Sequence, residues 1–226
     1  MENKNHQQIA GAIVLAGIII AGAVLLKGTG TPVLNAPKAN TQVSKQLGLN
    51  VRAFDTCLAS GKFKDKVQAD IESGTAAGVN GTPSSFILVD GIVVDTIPGA
   101  QSYETVIQKV AAALDSTKQP QTDKKQIVQI KPVSPSEHIL GNIDAKIIIV
   151  EYSDLDCPFC KTFHNTMHQV VEKSNGDVAW VYRHYPIPQL HPNAFKKAEE
   201  TECAWEQKGN DAFWKYTDRL FEINSK

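Results

Sequence analysis

Lys146 to Glu172, KIIIVEYSDLDCPFCKTFHNTMHQVVE, constrains this chain more than any other stretch. It opens on the apolar, β-branched run Ile147 to Val150, which predicts a buried strand. It closes on Phe163, Met167, Val170 and Val171, a spacing that predicts a helix. Between them stands Cys157-Pro158-Phe159-Cys160. A strand that runs into C-x-x-C at a helix start sets two thiols against unpaired N–H groups and the positive end of the helix dipole. That environment favours a thiolate, so Cys157 is the expected nucleophile. Cys160, one turn further in, is placed to resolve a mixed disulfide. Pro158 suits a first helical turn, where no N–H is needed.

A metal site is the rival reading of the same residues. Zinc takes four ligands, often from paired C-x-x-C units, and no second pair exists here. Cys160, His164 and His168 do share one helix face, so a site built from Cys157, Cys160 and His164 stays open as the alternative. The redox reading needs no metal and no cofactor.

The chain has 226 residues, enough for one ordinary domain with tails. Apolar residues make up 42%, compatible with a real core. A net charge of −1 gives no pull toward nucleic acid or anionic lipid. The 4 cysteines are too few for a disulfide scaffold, and beyond the C-x-x-C pair they leave the isolated Cys57 and Cys203.

Met1 to Leu26 reads as a short polar tail and a membrane anchor. Ile9 to Leu26 is an uncharged run of 18 residues, about 27 Å as a helix, close to the hydrocarbon thickness. A signal peptide is the rival. Its apolar region is usually shorter, and only Leu34-Asn35-Ala36 offers a cleavage site. An uncleaved single-pass anchor is therefore expected. Disulfide chemistry would put the catalytic body outside the cytosol, in a periplasm or at the cell exterior. Lys27 to Ser44 has no periodicity and reads as a flexible linker.

Residues 45–78 predict two helices. Leu47, Leu49, Val51, Phe54 and Leu58 make one apolar face, with Asn50 as an N-cap and Gly61 as the stop. Lys62 to Ala77 follows, with Phe63, Val67 and Ile71 at intervals of four. FILVDGIVVD then predicts two strands around Asp90-Gly91, a dipeptide that accepts positive φ at both central positions. Ser102 caps a helix to Leu114, with Val106, Val110 and Leu114 as its buried stripe. Asp115 to Ser136 reads as a linker in which Ile127 to Ile130 forms at most a short strand. Glu137 to Asn142 predicts an edge strand and Ala179 to Tyr185 another strand. Asn193 to Gln207 and Asp211 to Ile223 predict the last helices. Asp154 and Asp156 read as solvated loop acids.

As a set, these motifs resemble the DsbA-like thiol:disulfide oxidoreductases of the thioredoxin superfamily. Residues 137–223 resemble the first half of that family through HILGN, AKIIIVEYSDLDCPFCKTFH, VYRHYPI, the helix with Cys203, and FWKYTDRLF. Residues 45–114 resemble its second half through QLGLNVRAFDTCL and GVNGTPSSFILVDG. The C-x-x-C half comes first in the family and last here. The resemblance thus implies an α/β, thioredoxin-like fold with a helical insertion, circularly permuted and preceded by one transmembrane helix. On that reading residues 1–26 are tail and anchor, 27–44 a linker, and 45–226 one domain. Within it, 45–114 is the family's C-terminal half, 115–136 a joining linker and 137–226 its N-terminal half. The 22 residues of that linker reach up to about 70 Å, ample to join old termini. A half-swapped dimer, a broken remnant and a spliced sequence are the rivals.

The resemblance also implies roles. Thr82-Pro83 matches the cis-proline loop that packs on the C-x-x-C and offers backbone groups to an extended peptide. Glu151 matches a buried acid that moves protons to and from Cys160. Pro158 and Phe159 form the active-site dipeptide. Cys57 and Cys203 match positions that pair as a structural disulfide in some relatives. The expected activity is disulfide formation in secreted proteins, with isomerase or reductase as the alternative because Phe159 adds no positive charge. Expected partners are protein thiols or disulfides and a membrane electron acceptor that reoxidises the pair.

Overall fold

The computed structural model describes residues 40–115 and 130–223. The anchor expected at Ile9 to Leu26 and most of the linkers lie outside the described residues. No helix among the described residues is long and apolar enough to cross a membrane.

A five-stranded sheet carries the fold. The strands are β1 (Ser84–Val89), β2 (Ile92–Pro98), β3 (His138–Leu140), β4 (Ile147–Ser153) and β5 (Val178–His184), in the order β2-β1-β4-β5-β3. Asp90 (φ 50°) and Gly91 (φ 77°) take positive φ, which closes the β1–β2 hairpin with the twist of the strands. β1 and β4 run antiparallel, so the two sequence halves meet at the centre of one sheet. β4 and β5 run parallel, which requires a crossover, and α5 (Pro158–Lys173) supplies it.

Alternation along β4 divides the core. Ile147 and Ile149 face the side covered by α5 and by α4 (Tyr103–Leu114), with Phe163, Met167, Val106 and Val110. Val150 and Tyr152 face the other side, with Phe86, Leu88 and Val181. Glu151 belongs by parity to the α5 face, although it is a carboxylate among apolar neighbours.

The remaining helices are α1 (Thr41–Gln46), α2 (Val51–Ser60), α3 (Lys64–Ala76) and α6 (Ala194–Ile223). The Asn50 side chain accepts from Ala53 N–H to cap α2, and Gly61 ends it in the left-handed region. Ser102 caps α4 in the same way through Thr105 N–H. α6 breaks at Lys208 and Gly209, which separates the two helices predicted there. Gly74 of α3 lies against Tyr152 and Tyr185, where an added Cβ would come within 2.8 Å of each ring.

Two linker expectations need correction. Lys27 to Ser44 does not stay a tether to its end, because α1 begins at Thr41 and buries Val43 and Ser44. Asn40 N–H also donates to Glu200 of α6. Nor is the second linker free up to Ser136. Ile130 and Val133 pack on the back cluster, and the Lys131 carbonyl accepts from Arg183 at 2.7 Å. Arg183 is buried and forks onto Glu137 at 3.0 and 3.1 Å. A buried guanidinium needs such partners, so it fixes the segment that precedes β3.

Candidate active site

Sheet register brings the site together. Ser84 and Ser85 of β1 lie opposite Tyr152 and Glu151 of β4, so the cis Thr82-Pro83 step sits beside the point where β4 ends. From there the chain turns through Asp154 into Cys157, the N-cap of α5, with Pro158 in its first turn. Cys157 Sγ stands 3.5 Å from the Thr82 carbonyl oxygen. Cys160 is fully buried and its Sγ accepts from Asp154 N–H at 3.4 Å. Phe159 between them is 67% exposed, an apolar ring beside the thiols and open to a partner.

The two cysteines differ sharply in acidity. A hydrogen bond from Cys160, aided by backbone N–H groups of the first helical turn and opposed by burial, brings Cys157 down to about 6. Burial pushes Cys160 well above the ordinary thiol range, helped by its neighbours Cys157 and Glu151. One thiol is thus poised as a thiolate at neutral pH and the other is held protonated.

Glu151 lies under this pair with no exposure. Among the described residues neither of its carboxylate oxygens has a full hydrogen-bond partner. Burial therefore pushes it up to about 8, an effect that Ser153 and Trp180 offset only in part. At neutral pH Glu151 is mostly the uncharged acid, with a proton to give.

Asp154 is not a solvated acid, and Asp156 is only partly exposed. Asp154 is buried and accepts from Asp156 N–H, Ile187 N–H and the His191 ring at 2.8, 2.8 and 2.9 Å. It ties the cysteine loop to the loop after β5. Asp156 pairs with Lys197. The sequence carried no periodic signal for either, because both partners come from later loops and helices.

Cys57 of α2 and Cys203 of α6 are joined as a disulfide with a Cα–Cα distance of 6.0 Å. The two cysteines that stand isolated in the sequence are thus the pair that the resemblance implies. The metal alternative built from Cys157, Cys160 and His164 is not assembled. Among the described residues His164 groups with His168 and Asp218, and Cys160 turns to Asp154 instead.

Comparisons with known proteins divide the chain at the same place. Residues 33–111 match the family described as DSBA-like thioredoxin domain. Residues 133–226, with the CPFC turn, match the family described as Thioredoxin. The chain is a DsbA-like member of the thioredoxin superfamily. A crystal structure of Pseudomonas aeruginosa DsbA2 is 36% identical, over 41% of this chain and 50% of that one, with a TM-score of 0.38. Among curated proteins, the Na(+)/H(+) antiporter NhaA 1 of Mycolicibacterium vanbaalenii is 35% identical over 41% of this chain and 15% of its own length. The protein of that name from Salinispora arenicola is 26% identical over 92% of this chain and 34% of its own length. This DsbA-like chain therefore spans about a third or less of those two curated relatives, and their antiporter name belongs to the longer proteins.

Proposed function

We propose that the chain is a thiol:disulfide oxidoreductase that forms disulfides in proteins outside the cytosol. The observation that carries this reading is the split acidity of Cys157 and Cys160 at a helix N-terminus, beside Thr82 and Pro83. In the oxidised enzyme a substrate thiolate attacks Cys157 Sγ. The Cys157–Cys160 bond breaks, a mixed disulfide forms at Cys157, and Cys160 leaves as a thiolate. With so high a pKa, Cys160 is a poor leaving group unless it takes up a proton. Glu151, an uncharged buried acid, is the donor in this scheme. A second substrate thiolate then attacks the substrate sulfur of the mixed disulfide, which releases Cys157 as its stabilised thiolate. The Thr82 carbonyl and the Phe159 ring flank the position of the incoming peptide.

Ile9 to Leu26 is proposed as the membrane anchor, and the Cys57–Cys203 disulfide supports an oxidising compartment. A membrane electron acceptor would then reoxidise the reduced pair. The permuted order is supported by the order of the family matches and by the direct β1–β4 pairing. Light scattering of the solubilised chain separates a permuted monomer from a half-swapped dimer. Alkaline extraction with protease accessibility tests the anchor and its orientation.

A reductase or isomerase is the second reading, because a Cys157 pKa of about 6 is closer to thioredoxin's than to DsbA's. One measurement separates the two. The full chain, in mild detergent, is equilibrated in glutathione buffers, and its alkylated thiols are counted by mass spectrometry. A potential near about −120 mV supports the oxidase, one near about −270 mV the reductase. The absence of any two-electron transition at Cys157 and Cys160 would sink both.

A further inference from the structure

Further along the face of α5 that carries Cys160, three groups meet that the redox chemistry does not use. His164 and His168 stand one turn apart on this helix, and Asp218 reaches them from the second part of α6. His164 Nε2 lies 2.7 Å from Asp218 Oδ1, and His168 Nε2 lies 3.0 Å from the same oxygen. The two ring nitrogens are 3.1 Å apart. Three donor atoms thus converge on one point, two of them nitrogens pointing at each other as well as at the carboxylate.

We propose that His164, His168 and Asp218 bind one divalent metal ion of the zinc, copper or nickel class. Two imidazoles and a carboxylate suit borderline metals rather than calcium or magnesium, which take mostly oxygen ligands. A tetrahedral zinc with bonds of about 2.0–2.1 Å needs donor atoms about 3.3 Å apart. The observed triangle has to open by about 0.2 to 0.6 Å along its sides to reach that spacing. His168 and Asp218 can make that adjustment, since their side chains are 36% and 37% exposed. Water would complete the coordination from that open side. His164 is the fixed ligand: it is buried against Trp180 and Phe221, with ring centroids at 5.1 and 4.7 Å.

A second cluster of the same residue types shows what a filled position looks like. His138, His184 and Glu202 also converge, and all three are buried. There the Lys66 ammonium already sits 3.0 Å from Glu202 Oε1, so a positive charge occupies the place a metal would take. No ammonium or guanidinium is paired with Asp218 in this way among the described ion pairs.

The test uses the untagged full chain, solubilised and fully oxidised, so that Cys157 and Cys160 cannot act as ligands. Isothermal titration with Zn²⁺ should give one ion per chain. His168→Ala and Asp218→Asn should each weaken it at least about tenfold while the far-ultraviolet circular dichroism stays unchanged. Binding that survives both substitutions, or no binding by about 1 mM Zn²⁺, would overturn the proposal. A second readout needs no variant. Cu²⁺ at this site sits beside Trp180 and Trp214, whose rings lie 5.5 and 6.1 Å from His168, and should quench tryptophan fluorescence with the same stoichiometry. Stoichiometric Cu²⁺ uptake without quenching would place the metal elsewhere and refute the assignment.

Discussion

Replacing Cys160 by Ala tests the chemistry of the pair at its root. The hydrogen bond from Cys160 is the largest cause of the fall of Cys157 from 9.0 to about 6. Hydrogen bonds to charged groups are worth about 1.5–3 kcal/mol, which is about one to two pH units. The variant should therefore titrate near pH 7–8, still below a free thiol because Thr82 and the helical N–H groups remain. The assay is the pH profile of iodoacetamide alkylation at Cys157, read by mass spectrometry. Its midpoint is the observable, not the rate at pH 7. A thiolate of higher pKa is also a better nucleophile, with a Brønsted slope of about 0.4–0.5, and this offsets much of the lost thiolate fraction. A variant midpoint within about half a unit of the wild type would mean that the helix terminus alone holds the thiolate. A wild-type midpoint above about pH 8 would refute thiolate stabilisation altogether. If the wild type does titrate near 6, the stabilised thiolate contributes at most about 1.4 kcal/mol at pH 7. That makes the disulfide more oxidising by about 30 mV. That is a fraction of the roughly 150 mV between thioredoxin and DsbA, so the measured potential, not the thiolate alone, tests the oxidase reading.

Three further outcomes follow from the packing. Glu151 binds a proton in the folded state between its ordinary value of 4.5 and about 8. The folded chain thus holds more protons than the unfolded one in that window, and stability falls as pH rises through it. Glu151→Gln removes this cost, on the order of 3 kcal/mol at pH 7, so its melting-temperature advantage should grow from pH 5 to 8; a pH-independent difference would contradict the burial argument. Replacing Cys57 and Cys203 together by Ala opens a closure with a sequence separation of 146 and should cost up to about 5 kcal/mol in urea unfolding. Gly74→Ala should destabilise by about 1–3 kcal/mol despite the better helix propensity of alanine, because its methyl meets the Tyr152 and Tyr185 rings. A stabilised variant would mean that α3 can shift away from the sheet.

Local chemistry made much of the fold legible. Asn50, Gly61, Asp90-Gly91 and Ser102 each act within a few residues of themselves, and their caps and turns stand where the sequence puts them. The burial of Asp154 and the ion pair of Asp156 are hidden from the sequence for the opposite reason. Their partners lie 33 to 41 residues away, and a charged residue in a polar stretch carries no sign of being buried. The ends of the linkers failed in the same way. Val43 and Val133 look like isolated apolar residues in polar segments until α6 and the back of the sheet cover them. His164 and His168 were legible as a helix face, but Asp218, 50 residues beyond His168, was not.

Glu151 shows how one β-strand serves both stability and chemistry. Its parity puts it with Ile147 and Ile149, on a face where an apolar side chain would stabilise the fold more. A carboxylate there costs stability at neutral pH, and the absence of a salt-bridge partner among the described residues keeps that cost in place. Yet a paired carboxylate would be useless to Cys160. An arginine beside it, as Arg183 stands beside Glu137, would hold the acid ionised with no proton to give. The isolation of Glu151 thus sets the protonation state that Cys160 requires of it. Two variants separate this argument from a merely structural role. Glu151→Gln should slow the release of Cys160 as a substrate thiolate opens the Cys157–Cys160 disulfide, and should remove the fall in that rate above about pH 8, while leaving the Cys157 alkylation midpoint nearly unchanged. Glu151→Leu, which also stabilises, should slow the step equally; if it matched the wild-type rate, the buried acid would have no part in the proton transfer.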